Sequence, residues 1–215
     1  MTTQTTSAEP FLKYLDTVGL ATMLGRGFYY PVDTAIDSDG QLYVVSRSIE
    51  GDARGTRITV CDLDHEYYGT FGEFGEGDGQ FIYPTAVAVD SHGRVFVSDE
   101  HLNRVTVFDQ SRDFASRWGV PGAGPGELDG PSGLVFDGDD NLYVVDHRNH
   151  RIQKFTADGT FLLGFGSEGD GDGELSYPWG LAVGPSGDVY VADWHNDRVQ
   201  KFSPDGGFLA SYGSS

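Results

Sequence analysis

Residues 130–156 read GPSGLVFDGDDNLYVVDHRNHRIQKFT. Three short runs rich in Val, Leu, Ile, Tyr and Phe, namely GLVFD, NLYVVD and RIQKFT, are separated by the turn signal DGDD and by the polar stretch DHRNHR. This is the pattern of consecutive β-strands joined by short connections. A fourth run, TFLLGFG, follows after the turn ADG.

The same arrangement recurs on both sides. YPTAVAVDSHGRVFVSDEHLNRVTVFD begins at Tyr83 and YPWGLAVGPSGDVYVADWHNDRVQKFS begins at Tyr177, and the leading prolines Pro84, Pro131 and Pro178 are spaced 47 residues apart. An earlier copy, YPVDTAIDSDGQLYVVSRS, starts at Tyr30, with its proline, Pro31, 53 residues before the next. Asp99 to Arg104, Asp146 to Arg151 and Asp193 to Arg198 each span five positions, whereas Ser46 to Arg57 spans eleven, so the six extra residues sit in one loop around IEGDARGT. Four strands per repeat at a period of 40 to 50 residues is the mark of a propeller blade. An all-β propeller with four four-stranded blades follows. The expected divisions are an N-terminal segment 1–29, blade 1 at 30–82, blade 2 at 83–129, blade 3 at 130–176 and blade 4 at 177–215.

Composition agrees. The 31 glycines, 14 Phe and 11 Tyr against 2 Met favour strands and tight turns. A formal charge of −19 repels phosphate backbones, which argues against nucleic acid as a partner. No run approaches a membrane-spanning length. The single cysteine, Cys61, and an N-terminus without a basic or apolar leader segment point to a reducing, cytoplasmic setting. Cys61 aligns with Phe108, Phe155 and Phe202, so a buried apolar role is expected.

His147 and His150, three apart in DHRNHR, invite a metal reading. Their counterparts in DEHLNR and DWHNDR are Glu100 and Trp194, and Asn103 and Asp197, and no cysteine or second histidine pair stands nearby. The Asp and Arg at the ends recur in three copies, as a pair closing the turn by a charge-assisted hydrogen bond would require. The pairs expected are Asp99 with Arg104, Asp146 with Arg151 and Asp193 with Arg198, with the residues between them solvated. Asp170, Asp172 and Glu174 in GSEGDGDGEL alternate as calcium ligands might. The parallel loop VPGAGPGELDG keeps the glycines and loses most of the acid, so a turning role is expected. No cofactor and no metal are expected, and no catalytic signature of the nucleophile-elbow, phosphate-loop or zinc-protease kind occurs.

The segments PSGLVFD, LYVVD, NHRIQKF and FLLGFG, with their counterparts, resemble NHL repeats, and the likeness runs from Tyr30 to Gly213. The resemblance implies a propeller presenting one loop-rich face to a protein, peptide or small ligand. On that face should lie the variable residues His101, His147, Arg148, Trp194 and His195, together with Trp179 at the start of an inner strand. The alternative is a propeller enzyme, a lyase or lactonase-like hydrolase with its site at the channel mouth. Peptide-amidating lyases similar to NHL domains hold zinc with histidines at the starts of inner strands, where this chain has Val32, Thr85, Ser132 and Trp179. Some NHL domains bind RNA through a basic face, which the acidic charge here opposes.

The resemblance also points to six blades, which would make the chain part of a ring lacking about two repeats. FLKYL, at residues 11–15, resembles a lone fourth strand like FLASY near the C-terminus, yet the last copy already has its own. A self-closed four-bladed ring, or chains completing one another by self-association, are the other possibilities.

Overall fold

The computed structural model describes residues 17–18, 27–48 and 53–213, so the strand expected at FLKYL and residues 49–52 of the blade 1 loop lie outside the described residues. The four blades are four-stranded antiparallel sheets. Blade 1 comprises β1 (Pro31–Ile36), β2 (Leu42–Ser46), β3 (Arg57–Cys61) and β4 (Tyr67–Phe71). A short parallel pair, β5 (Glu73–Phe74) and β6 (Gln80–Phe81), leads to blade 2: β7 (Pro84–Val89), β8 (Val95–Asp99), β9 (Arg104–Phe108) and β10 (Phe114–Trp118). Blade 3 is β11 (Pro131–Phe136), β12 (Asn141–Asp146), β13 (Arg151–Thr156) and β14 (Phe161–Phe165). Blade 4 is β15 (Pro178–Val183), β16 (Val189–Asp193), β17 (Arg198–Phe202) and β18 (Phe208–Tyr212). No helix among the described residues is long and apolar enough to cross a membrane.

The turns explain the periodic aspartates. In the connection from first to second strand, Asp37 Oδ1 accepts the N–H groups of Asp39 and Gln41, each at 2.9 Å. Asp90 and Asp137 do the same for His92 and Arg94, and for Asp139 and Asn141. These side chains mimic a backbone turn and hold the hairpin register. Blade 4 has Gly184 in this place and keeps the turn with the backbone bonds Gly187 N–H to Gly184 O and Gly184 N–H to Asp188 O, both 2.9 Å, and with Ser186 Oγ donating to Asp188 Oδ2 at 2.6 Å.

At each of the three junctions between successive blades the facing sheet surfaces are buried against each other, because residues alternate along every strand. Tyr43, Val45, Ile58 and Val60 of blade 1 pack on Val87, Val95, Val97 and Phe108 of blade 2. Phe96, Val105 and Val107 pack on Leu134, Leu142, Val144 and Phe155. Tyr143, Val145, Ile152 and Phe165 pack on Val189, Val191 and Phe202. Cys61 is buried on β3, and burial pushes its thiol pKa up. The inner strands β1, β7, β11 and β15 follow one another in an arc. Among the described residues, no comparable packing joins β15 to β1.

Hydroxyls and carboxylates stitch the inner strands across the junctions. Val87 N–H donates to Asp33 Oδ2 at 2.9 Å, Thr85 Oγ1 to Pro131 O at 2.9 Å, and Ser132 Oγ to Trp179 O at 2.9 Å. Because each bond is buried or half-buried, losing one would leave a partner unsatisfied.

Candidate functional site

The connections from second to third strand and the segments between blades share one face. In blades 3 and 4 the former are single-turn 3₁₀ helices, His147–Asn149 and Trp194–Asn196, each ended by a residue in the left-handed conformation, His150 (φ 54°) and Asp197 (φ 50°). A buried aspartate anchors each turn. Asp146 Oδ2 accepts from Arg151 Nε at 2.7 Å, Asn149 Nδ2 at 3.0 Å and Gln153 Nε2 at 3.0 Å, while its Oδ1 accepts Asp129 N–H at 2.7 Å. Asp193 repeats this with Arg198 (2.8 Å), Asn196 (2.9 Å), Gln200 (3.2 Å) and Ser176 N–H (2.6 Å). The arginines extend further, to carbonyls of the preceding inter-blade segment: Arg151 to Ala123, Gly124 and Glu127, and Arg198 to Gly171 and Glu174.

Blade 2 departs from the pairing expected there. Asp99 accepts the N–H groups of Ile82, Tyr83, His101 and Leu102, and Arg104 reaches the carbonyls of Glu76, Gly77 and Gln80 as Arg151 and Arg198 reach theirs, with no side-chain hydrogen bond to Asp99 among the described residues. Two amides that donate to the aspartate in blades 3 and 4, from Asn149 and Gln153 and from Asn196 and Gln200, are replaced here by Leu102 and Thr106.

On this scaffold the rings of His147, His150, Tyr177, Trp179, Trp194 and His195 form one continuous cluster across the blade 3 and 4 junction. Ring centroids lie 5.1 Å apart for His147 and Trp179, 6.1 Å for Trp179 and Trp194, 4.6 Å for Trp194 and His195, 4.7 Å for Tyr177 and His195, and 4.4 Å for His150 and Tyr177. Trp194 is 57% exposed, Trp179 39% and His195 is exposed.

The two histidines expected to be solvated are instead buried, at 7% and 8% exposure, because Tyr177 and Trp179 of the next blade cover them. His147 Nδ1 lies 3.0 Å from Pro178 O, so it carries the proton there. Burial lowers the His147 pKa below the ordinary histidine value, more than the Pro178 carbonyl raises it. His150 holds the opposite tautomer: its Nδ1 accepts Tyr177 N–H at 3.2 Å.

Arg148 and His101 lie beside the cluster, toward blade 2. Arg148 spans the blades through Glu100 (2.5 Å) and Asp129 (3.3 Å), and His101 is exposed. Tyr177 and His150 escaped the sequence reading as site residues. The signal available was the YP dipeptide, which puts an aromatic ring immediately before the inner strand, over the preceding blade's turn. Trp179, Trp194, Asp197, Arg198, Val199 and Tyr212 line a groove of about 760 Å³ beside the cluster, within the size range of ligand pockets.

One side chain of each inter-blade segment holds that segment's own turn. Glu174 Oε2 accepts Gly171 N–H at 2.9 Å, as Glu127 does for Gly124 and Gln80 for Gly77. No group of three or more His, Cys, Asp or Glu side chains is placed to hold a metal ion among the described residues.

NHL repeats match at residues 81–108, 128–155 and 175–202, one in each of blades 2 to 4 with its preceding apolar segment. The chain is an NHL-repeat β-propeller. No curated protein matches it in sequence. Among solved structures it is similar in fold to a streptogramin B lyase, at 18% identity and a TM-score of 0.65, over 93% of this chain and 58% of that one. A catalytically inactive virginiamycin B lyase from Staphylococcus aureus with quinupristin is 14% identical, with a TM-score of 0.62 over 85% of this chain and 55% of that one. Hydrazine synthase from Kuenenia stuttgartiensis is 17% identical, with a TM-score of 0.62 over 94% and 53%. The chain thus spans somewhat more than half the length of each of these chains. At such identities the likeness concerns the fold. At the inner-strand starts, Thr85 and Ser132 commit their hydroxyls to neighbouring carbonyls.

Proposed function

We propose that the chain is a binding scaffold whose loop-rich face recognises a protein or peptide, with Trp194, His195 and Trp179 at the centre, His147 beneath them and Arg148 and His101 at the flank. The observation that carries this reading is the exposure of Trp194 and His195 on a turn that a buried Asp193 network holds rigid. Large rings presented without conformational freedom bind at low entropic cost and are the usual anchors of interfaces. The chain's charge of −19 favours a basic partner with an apolar or aromatic anchor residue.

Selection of a random displayed-peptide library against the intact protein tests this. Enriched sequences should be basic and carry an aromatic or Leu side chain. Trp194→Ala should weaken their binding by about tenfold or more, as loss of an interface anchor does. Leu63→Ala, at an exposed turn on the opposite face, should leave it unchanged. Peptides that bind both variants alike would place recognition elsewhere and sink the reading.

A further inference from the structure

In blades 3 and 4 one glutamine completes the buried network beneath the turn. Gln153 Nε2 donates to Asp146 Oδ2 at 3.0 Å and to Glu127 O at 2.6 Å, while its Oε1 accepts Gly126 N–H at 2.9 Å. Gln200 does the same with Asp193 (3.2 Å), with Glu174 O and with Gly173 N–H (3.0 Å). A single carboxamide thus serves a carboxylate, a carbonyl and a backbone N–H. No buried polar side-chain atom of either network is left unpartnered among the described residues.

Blade 2 has the same surroundings without the carboxamide. Gly79 and Gln80 stand where Gly126 and Glu127 do, Asp99 where Asp146 does, and Thr106 where Gln153 does. Asp99 and Thr106 have no exposure to solvent, Arg104 is 8% exposed and Gly79 is buried. Arg104 lies directly across from Asp99, and Thr106 is two residues further along the same face of β9. Yet Thr106 Oγ1 and Arg104 Nε have no hydrogen-bond partner among the described residues. Burial, and next the charge of Arg117, push the Arg104 pKa below the ordinary arginine value, against the Asp99 carboxylate, which raises it. Buried donors and acceptors left in this way cost free energy, and in native proteins they find a partner. Thr59 makes the same replacement in blade 1, where Thr59 Oγ1 and Ser46 Oγ are likewise buried and unpartnered among the described residues.

We propose that blade 2 binds an internal water molecule where the other blades place the glutamine carboxamide, bridging Arg104 Nε, Thr106 Oγ1, the Asp99 carboxylate and Gly79 N–H. The water accepts from Arg104 Nε–H and Gly79 N–H and donates to Asp99 and Thr106 Oγ1. This mixed set matches the two donors and two acceptors of water. It suits no ion, because Arg104 repels a cation and Asp99 repels an anion. Replacing Gln by Thr frees the room of one water, about 30 Å³ in the liquid. Water is also the usual link between polar groups that face each other beyond direct hydrogen-bond reach. The joint beneath the turn that carries His101 therefore exchanges with solvent, whereas Trp194 stands over tethered amides.

Nuclear Overhauser transfer from long-lived water to N–H groups of the isotope-labelled intact protein tests the site without any partner, and so independently of the recognition proposed above. Gly79 N–H and Arg104 Nε–H should receive it, while Gly126 and Gly173 N–H, bonded to glutamine, should not. Thr106→Gln should abolish both signals and raise the melting temperature, since it restores the carboxamide. Thr106→Val separates the alternatives by sign. It keeps the shape and loses the hydroxyl, so it should lower the melting temperature where Oγ1 is bonded to water, and raise it where Oγ1 is a buried group with no partner. A rise with Thr106→Val would overturn the proposal. So would the absence of water transfer to both Gly79 and Arg104, or a crystal structure in which Arg104 Nε donates directly to Asp99.

Discussion

The residue on which each rigid turn depends is its buried aspartate. Asp146 satisfies a guanidinium, two side-chain amides and one backbone N–H at distances of 2.7 to 3.0 Å, and has no exposure to solvent. Asp146→Ala strands those donors and the partly buried Arg151 charge, so it should destabilise the protein by about 3 kcal/mol or more. The urea midpoint should fall accordingly, and Arg151→Ala in the same background should add little, because the pair is one network. His147 sets a pH dependence of known sign. Burial depresses its pKa in the folded state, so its contribution is fully present above the unfolded value of about 6.5 and is lost as pH falls below it. Wild-type protein should therefore lose more stability than His147→Gln between about pH 8 and about pH 5.5. Equal losses in the two proteins would remove His147 as a contributor.

At the scale of the element, the blade was legible because its strands, turns and period are local or repeat-wise properties. Asp37, Asp90 and Asp137 close the same hairpin for the same reason, and the spacing of Pro84, Pro131 and Pro178 fixes where each inner strand begins. What the sequence could not display is whatever depends on the neighbouring blade. His147 looked like a solvated loop residue because its counterparts are Glu100 and Trp194, yet Tyr177 and Trp179, thirty residues onward, bury it. Asp99 and Arg104 keep the spacing of the other pairs and face each other across β8 and β9, yet no hydrogen bond joins their side chains among the described residues, where Leu102 and Thr106 stand in place of two amides. The junction glycines make a demand of their own. Gly166 combines φ +89° with a Cβ position 2.7 Å from Leu175 and 3.2 Å from His150 O. Gly166→Ala should cost about 1 kcal/mol from the backbone alone and more from the displaced Leu175. Thermal melts should show that loss, while Gly40→Ala, with φ +82° and nothing within 4 Å, should show only the backbone part.

For the whole molecule, the dominant fact outside the cores is charge: 33 acidic against 14 basic residues, giving −19. Local pairs offset part of it, Lys154 with Asp137 and Lys201 with Asp188 at 2.8 Å each, and Arg148 with Glu100 and Asp129. The surplus carboxylates repel one another across a surface that folding compresses, so self-repulsion opposes the compact state. Salt acts on both terms, but unequally: the pairs are short-range contacts, partly shielded from solvent, whereas the repulsion is summed over many exposed groups separated by a screening length or more. Raising NaCl from about 0.05 M toward about 1 M shortens that length to about 3 Å and should remove most of the repulsion while leaving the close pairs largely intact. The melting temperature should therefore rise with NaCl, and rise similarly with KCl, since screening depends on ionic strength and not on cation identity. A melting temperature that falls with salt would mean the surface pairs outweigh the repulsion. One that rises with calcium alone at matched ionic strength would mean that the acidic segments around Asp170 and Asp172 bind that cation.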